Sequence, residues 1–280
     1  MSGPLAFTKL EALANDFVLI DARVSPAHLS SAQIRFLGDR RRGIGFDQLL
    51  CLVPPSDPEH LVDVEIFNSD GGSAEQCGNG MRAIALWLSE SGELTGRARL
   101  GTAGGSVEVN VVDSETIEAE LPGPDFSPSA WGSASGRASW ETGYDGQTYR
   151  VSGLSTGNPH IVVCLEKAPD PHLLRGLGRH LSRSQDLTQG ANVNLAWCRG
   201  REHIELAVYE RGVGPTLACG SGACATAALF MRSGEVDSPV RVSQPGGELV
   251  IHWSGGGRIR MTGPARRVFA GTITIPSLDP

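Results

Sequence analysis

Residues 77–93 read CGNGMRAIALWLSESGE, and residues 219–235 read CGSGACATAALFMRSGE. The second stretch repeats the first at a constant offset of 142 residues. The same offset carries Gly104-Gly105 onto Gly246-Gly247 and Ile117 onto Ile259. From Cys77 to Ile117, without a gap, 12 of 41 positions are identical, where chance should give only a few. Upstream, Ile66-Phe67-Asn68 falls on Val208-Tyr209-Glu210; with one residue of slip, Asn15-Asp16-Phe17 falls on Asn158-Pro159-His160. Internal repetition is weighed first because overlooking it misassigns the whole fold. The repeat predicts two homologous halves, residues 1–123 and 124–264, with an unduplicated tail at 265–280. The join between them, GPDFSPSAWGSASGRASWETGYDG (123–146), is rich in Gly, Ser and Pro and reads as a linker or loose hairpin.

Secondary-structure signals agree between the halves. Phe17 to Ile20, Val62 to Phe67 and Val107 to Val112 read as strands from their β-branched and aromatic content. Ile161 to Leu165, Ile204 to Tyr209 and Leu249 to Trp253 read likewise, and Thr272 to Ile275 alternates like a strand. After each CGxG comes a helix, Met81 to Ser89 and Ala223 to Met231, stopped near Gly92 and Gly234. Both helices carry few charges around their circumference and are expected to be buried. Many strands about one buried helix per half make a two-domain α+β or α/β chain.

Composition narrows the function classes. A chain of 280 residues with 40% apolar and 20% charged residues folds around a real core. Its formal charge of −7 argues against nonspecific nucleic-acid binding, which needs a basic surface. No stretch approaches the roughly 20 apolar residues of a membrane span. The start, MSGPLAFTKLEAL, lacks the basic and apolar regions of a secretory signal, so a cytoplasmic location is expected. Six cysteines are too sparse for a disulfide scaffold.

The matched cysteines carry chemistry. A thiol just before a helix sits at the positive end of the helix dipole, where thiolate is favoured. The neighbouring glycines let backbone N–H groups approach an anion closely. Two such units, related by duplication, can face each other across a cleft between the halves. That suits racemisation, which needs a base on one face of a carbon and an acid on the other, with the roles exchanged after each turnover. A lone Cys at a helix start is usually structural; duplication in a polar CG[NS]G setting reverses that expectation. Cys51, Cys164 and Cys198 lie in apolar runs and Cys224 faces another part of its helix, so all four are expected in the core. No zinc-type spacing, Walker A pattern, GxSxG elbow or full GxGxxG is present. Arg40-Arg41-Arg42 reads as a solvated face.

These motifs resemble the diaminopimelate epimerase family. The segments that carry the resemblance are ANDFVLID (14–21), RRGIGFDQLL (41–50), NSDGGSAEQCGNGMR (68–82), STGNPHIV (155–162), GANVNLAW (190–197), YERGVGPTLACGSGACA (209–225) and GPARRVFAG (263–271). They span nearly the whole chain in family order. The resemblance implies two pseudo-symmetric halves, each a mixed sheet curled around a central helix, with the C-terminal strand returning to the first half. It implies that Cys77 and Cys219 are the catalytic thiols and that His160 and Glu210 orient or activate them. Their counterparts in the first half are Phe17 and Asn68, so the duplication breaks symmetry there. Backbone N–H groups at Gly78, Asn79, Gly220 and Ser221 are implied to hold the reacting carboxylate. Asn15, Gln48, Asn68, Asn158, Asn192, Glu210 and Arg211 are implied to hold the rest of a substrate with two amino-acid heads. Asn and Gln offer a donor and an acceptor together, and Arg grips a carboxylate through two parallel bonds.

The sequence departs from the family pattern in places. Glu11-Ala12-Leu13-Ala14 replaces the usual His-Gly-x-Gly before Asn-Asp-Phe, and Ala does not easily take positive φ, so the loop presenting Asn15 is expected to differ. Gly72 replaces a usual Ser and Pro215 a frequent Glu. Phe269 stands where the family often has a Tyr linked to dimer formation, so a homodimer is implied by resemblance. The expected activity is a metal-free, pyridoxal-free epimerase interconverting LL- and meso-diaminopimelate, with no cofactor and a small molecule as its substrate. The alternative is a racemase of another amino acid, of proline or histidine type, with the same two thiols. A noncatalytic binding protein is the rival from another class.

Overall fold

The computed structural model describes residues 4–24 and 28–276. The chain divides into two compact units, Met1–Ala119 with Gly263–Pro280, and Glu120–Thr262. In chain order the first elements are β1 (Leu5–Ala12), β2 (Asn15–Asp21), α1 (Ser31–Gly38), β3 (Gln48–Val53), β4 (Val62–Asn68) and β5 (Ser73–Ala74). Next come α2 (Gly78–Glu90), β6 (Arg97–Gly101), β7 (Val107–Val111) and β8 (Ile117–Leu121). The chain continues with β9 (Ser139–Tyr144), β10 (Gln147–Ser155), β11 (Pro159–Cys164), α3 (Pro171–Ser182), β12 (Asn192–Cys198) and β13 (His203–Glu210). Then follow β14 (Gly214–Thr216), α4 (Gly220–Ser233), β15 (Val240–Gln244), β16 (Gly247–His252), β17 (Ile259–Gly263) and β18 (Arg266–Ile273). Residues 277–280 of the unduplicated tail lie outside the described residues.

The repeat seen in the sequence is a repeat of strand pairing. In the first unit β2 and β3 are parallel, β3 and β4 antiparallel, β4 and β6 parallel, and β6 and β7 antiparallel. In the second, β11 and β12, β12 and β13, β13 and β15, and β15 and β16 follow the same alternation. Each parallel pair needs a crossover of a dozen or more residues. The crossovers hold α1 and α2 in the first unit and α3 and α4 in the second. The CGxG repeat marks α2 and α4 in the sequence and leaves α1 and α3 unmarked. The signal for α3 was present: Pro171 takes the first helical position and the Asp170 carboxylate accepts from the N–H groups of His172 and Leu173.

In the first unit the strands run β18, β1, β2, β3, β4, β6, β7 from neighbour to neighbour. Helix α2 packs against β18, β1, β2 and β7, that is, against strands from both ends of the row. The sheet therefore wraps around the helix. Met81, Ala83, Ile84, Ala85 and Leu88 are fully buried there, each large side chain contributing about 1.5–3 kcal/mol. Strand β2 is buried on both faces, with Val18 and Ile20 in a cluster with Ile34, Leu37, Phe46 and Leu49. That is why it reads as a continuous apolar run. Helix α4 packs against β10, β11, β12, β13, β15 and β16 in the second unit. Its face is lined by Ala223, Cys224, Ala225, Ala227 and Ala228, all fully buried.

Three expectations need correcting. Residues 123–146 are not a linker: their end, β9, forms a hairpin with β10, and a 3-10 turn at Pro128–Trp131 inserts Trp131, fully buried, into the core of the second unit. Its ring stacks on Trp140 with centroids 5.9 Å apart. A Cβ on Gly153 would lie 2.4 Å from that ring, so only glycine admits it. A buried tryptophan and a half-buried one stacked on it outweigh the polar composition around them. Second, Cys164 is exposed and Cys198 half-buried, not core, because both sit at the ends of their strands. Third, Arg40 is not merely solvated, since it bridges Asp16 and Asp47. Among the described residues no helix is long and apolar enough to cross a membrane.

Candidate active site

Each thiol caps its helix. Cys77 has extended backbone, and its Sγ accepts the Gly80 N–H at 3.3 Å. Cys219 is built the same way and accepts the Gly222 N–H at 3.4 Å. A donor aimed at sulfur favours thiolate over thiol, and the helix dipole adds to it. The first helical hydrogen bonds run from Met81 to the Cys77 carbonyl and from Ala223 to the Cys219 carbonyl. Helix geometry therefore leaves the N–H groups of Gly78 and Asn79, and of Gly220 and Ser221, pointing out of the first turn, where an anion can sit. The fourth residue of the motif must be glycine in the second unit: a Cβ on Gly222 would stand 2.5 Å from the Asn194 amide oxygen.

Strand register places the polar side chains. In the first unit Phe17 lies opposite Gln48, and Gln48 opposite Asn68. Gln48 Nε2 donates to Asn68 Oδ1 at 3.0 Å. In the second, His160 lies opposite Asn192, and the ladder that pairs Val193 with Tyr209 runs on toward Asn192 and Glu210. Glu210 closes β13, half-buried. The rows Phe17, Gln48, Asn68 and His160, Asn192, Glu210 are thus the same row in two copies.

His160 is fully buried, and desolvation pushes its pKa down to about 3 against the hydrogen bond from Asn194. The imidazole is therefore neutral, and its tautomer follows from its neighbours. Asn194 Nδ2 donates both to the Ile161 carbonyl at 3.1 Å and to His160 Nδ1 at 3.2 Å. Nδ1 is thus the acceptor and Nε2 carries the proton. Nε2 lies 2.9 Å from Asn158 Oδ1 and 3.1 Å from Ser221 Oγ. The Ser221 hydroxyl is in turn 3.5 Å from Cys219 Sγ. Asn158, His160, Ser221 and Cys219 form one chain of contacts, steadied by Thr156, whose hydroxyl donates to the Ser221 carbonyl at 3.2 Å. Cys219 is 6% exposed, and its N–H donates to Gln244 Oε1 at 2.8 Å.

The remaining amides are oriented by protein partners. Asn192 Oδ1 accepts the Arg211 N–H at 2.9 Å, leaving Nδ2 to donate. The Arg211 guanidinium rests on the Gln189 and Gly190 carbonyls at 3.1 and 3.4 Å, with other donors exposed. Those donors suit a carboxylate. Asn15 follows a two-residue hairpin in which Leu13 and Ala14 take φ of 59° and 60°. Both are non-glycine residues in the left-handed conformation that Ala does not easily take. Left-handed backbone costs about 1–2 kcal/mol per residue. Burial of Leu13, 3% exposed, and the Ala14 N–H bond to Glu11 at 2.5 Å offset it. Asp16 behind this turn is held by Arg40 and Lys9; burial opposes its charge, but their hydrogen bonds prevail and bring its pKa down to about 2. Asn79 Oδ1 accepts from Arg82 at 3.0 Å.

Asp47, Asn194, Thr156 and Gln244 escaped the sequence reading. Asn194 was findable, being two residues beyond Asn192 on the same face of β12. Phe269 lies apart from these groups, on β18, edge-on to Phe7 at 5.9 Å. A hollow of about 560 Å³ lined by Phe126, Arg232, Val236 and Trp253 contains none of the residues above. Two other thiols are muted: burial, with Glu65 nearby, pushes Cys51 up to about 12, and burial, with Cys164 and Glu235, does the same to Cys198. Among the described residues no group of three or more His, Cys, Asp or Glu could hold a metal ion.

The family model described as Diaminopimelate epimerase matches residues 7–123 and 153–268. Two relatives bearing that name are from Ectopseudomonas mendocina, 37% identical over 275 residues, and Stutzerimonas stutzeri, 38% identical over 279. Each alignment covers 97% of this chain and 99% of the relative. Among solved structures, a hydroxyproline epimerase from Agrobacterium vitis is similar with a TM-score of 0.73 at 13% identity, over 100% of this chain and 93% of that one. A phenazine biosynthesis protein of the PhzF family from Bacillus anthracis gives 0.67 at 15%, over 98% and 100%. At such identities the likeness is one of fold.

Proposed function

This chain belongs to the diaminopimelate epimerase family, and on that premise we propose that it is an isomerase interconverting LL- and meso-diaminopimelate by a two-thiol mechanism, for lysine and peptidoglycan precursor synthesis. The observation that carries the mechanism is the pair of cysteine-capped helices, each with a backbone N–H on sulfur. One thiolate, of Cys77 or Cys219, removes the α-proton. The other thiol delivers a proton to the opposite face, and the reverse reaction exchanges them. The α-proton of an amino acid is far less acidic than a thiol, so the carbanion needs donors on its carboxylate. The N–H groups of Gly78, Asn79, Gly220 and Ser221 are suited to that task, and each such donor is worth about 3–4 kcal/mol in comparable sites.

The second amino-acid head is served by Asn68, Asn158, Asn192, Arg211 and Glu210, with Asn15 and Gln48 supplying acceptors. Asn192 and Arg211 favour this two-headed substrate over proline or histidine, which have one head. Neutral His160 acts by orienting Ser221 and Cys219. It does not act as a cation, because desolvation holds its pKa near 3. The chemistry requires no cofactor, since both proton transfers are made by side chains of the chain. We place the enzyme in the cytoplasm, where a reducing environment keeps both sulfurs as free thiols for the two-thiol chemistry. We propose a homodimer through β18, where Val268 and Phe269 are 50% and 48% exposed. Incubation with LL-diaminopimelate, proline and histidine in heavy water, without added cofactor, tests the assignment. Deuterium at the α-carbon of diaminopimelate alone is expected; exchange into proline or histidine instead would overturn it.

A further inference from the structure

Asp47 stands next to Gln48, and three donors converge on its carboxylate. Oδ2 accepts Asn15 Nδ2 at 2.8 Å and the Asp16 N–H at 3.2 Å. Oδ1 accepts Arg40 Nη2 at 2.9 Å. Its position is fixed from behind as well: the Asp47 N–H donates to the Asp16 carbonyl at 2.9 Å and to Asp16 Oδ1 at 3.1 Å. Arg40 also grips both oxygens of Asp16, at 2.7 and 2.8 Å. A carboxylate offers acceptors alone. It can hold the Asn15 amide by its nitrogen and never by its oxygen. Asn15 Oδ1 is thereby turned away from Asp47 as an acceptor.

We propose that Asp47 is a positioning residue that locks the Asn15 amide with its oxygen toward the substrate, so that Asn15 reads an ammonium group. A reversed amide would set its oxygen against the Asp47 carboxylate, acceptor against acceptor, and its NH2 against the ammonium, donor against donor. The proposal rests on the reading of Asn15 as a substrate ligand. Arg40 holds Asp47 directly and, with Lys9, also holds the Asp16 behind it.

The test is a double-mutant cycle on the full chain, read as kcat and KM for diaminopimelate epimerisation, with melting temperature confirming the fold. An ammonium contact made equally in ground and transition states acts on KM. Asp47→Ala is expected to raise KM about 10-fold with kcat changed less than about 3-fold. Asp47→Asn, which keeps an oxygen for Asn15, should raise KM only about 3-fold. In an Asn15→Ala background, Asp47→Ala should add less than about 2-fold. If Asp47→Ala does not fold, Asp47→Ser, too short to reach Asn15, takes its place. Full additivity of the two substitutions, or an unchanged KM in Asp47→Ala while Asn15→Ala raises it, would overturn the proposal. Wild-type kinetics in Asn15→Ala would instead remove Asn15 from the substrate site. No turnover in the wild-type protein would overturn the functional reading itself.

Discussion

The turn at Cys77 and the turn at Cys219 are the same backbone written twice and surrounded by different chemistry. Both thiols cap a helix and both take an N–H from the residue three positions on. Two residues after the cysteine the copies diverge. Asn79 turns its amide oxygen to Arg82, whereas Ser221 stands between His160 and Cys219. The strand row beside each turn diverges too, with Phe17 in one copy and His160 in the other. Duplication preserved what the backbone does, and substitution then made the two halves unequal. A reaction run by two thiols of alternating role needs similar sulfurs, but it has no need of similar surroundings.

The comparison breaks most directly at the sulfurs. Cys77→Ala and Cys219→Ala should each lower steady-state epimerisation by about a thousandfold or more, measured from both isomers. A single variant with near-normal turnover would show that one thiol suffices. The next test separates the turns by space. Gly222→Ala places a methyl 2.5 Å from Asn194 Oδ1, whereas Gly80→Ala meets Leu50 Cδ2 at 3.2 Å. The first should cost about 1–3 kcal/mol of stability by overpacking and the second less than about 1 kcal/mol, read from denaturant midpoints. Equal costs would mean that Asn194 yields freely and does not hold His160.

The third test uses charge. His160 in the folded chain stays neutral to about pH 3, while an unfolded histidine protonates near 6.5. Below 6.5 the unfolded chain therefore binds the extra proton. Stability from this group is whole above that pH and falls as pH drops toward 3, by about 1.4 kcal/mol per unit. His160→Gln should remove that share of the slope in acid titrations of stability; an unchanged slope would mean the ring protonates in place. The smallest effect concerns the hairpin before Asn15. Ala14→Gly should stabilise by about 0.5–1 kcal/mol, as relief of left-handed strain exceeds the added chain entropy. Leu13→Gly should destabilise, because it forfeits a buried side chain. A melting temperature lowered by Ala14→Gly would count against strain at that turn.

Much of this molecule was readable from short stretches of its chain. The duplicated CGxG helices with their two thiols and the strands Val62 to Phe67 and Ile204 to Tyr209 rest on repetition or periodicity, and the other candidate site residues on the resemblance to a family. The crossover helices α1 and α3 were not, although their existence follows once β2–β3 and β11–β12 are known to be parallel. The segment at 123–146 misled because composition averages over residues, and two tryptophans were enough to anchor it. Cys164 and Cys198 misled for a related reason: an apolar run says that a strand is buried somewhere, not where its end emerges.

A helix cap and a tandem duplication are local facts. Their geometry is set within one turn of backbone, so the order of residues alone was sufficient to locate both thiols and the halves that carry them. The neutrality and tautomer of His160, the atom each amide presents, the burial of Leu13 at positive φ and the grip of Asp47 on Asn15 belong to folding. Asp47 and Asn15 are 32 residues apart, and His160 and Ser221 are 61 apart. Strand register and desolvation act between such residues, and neither exists until the chain has closed those loops.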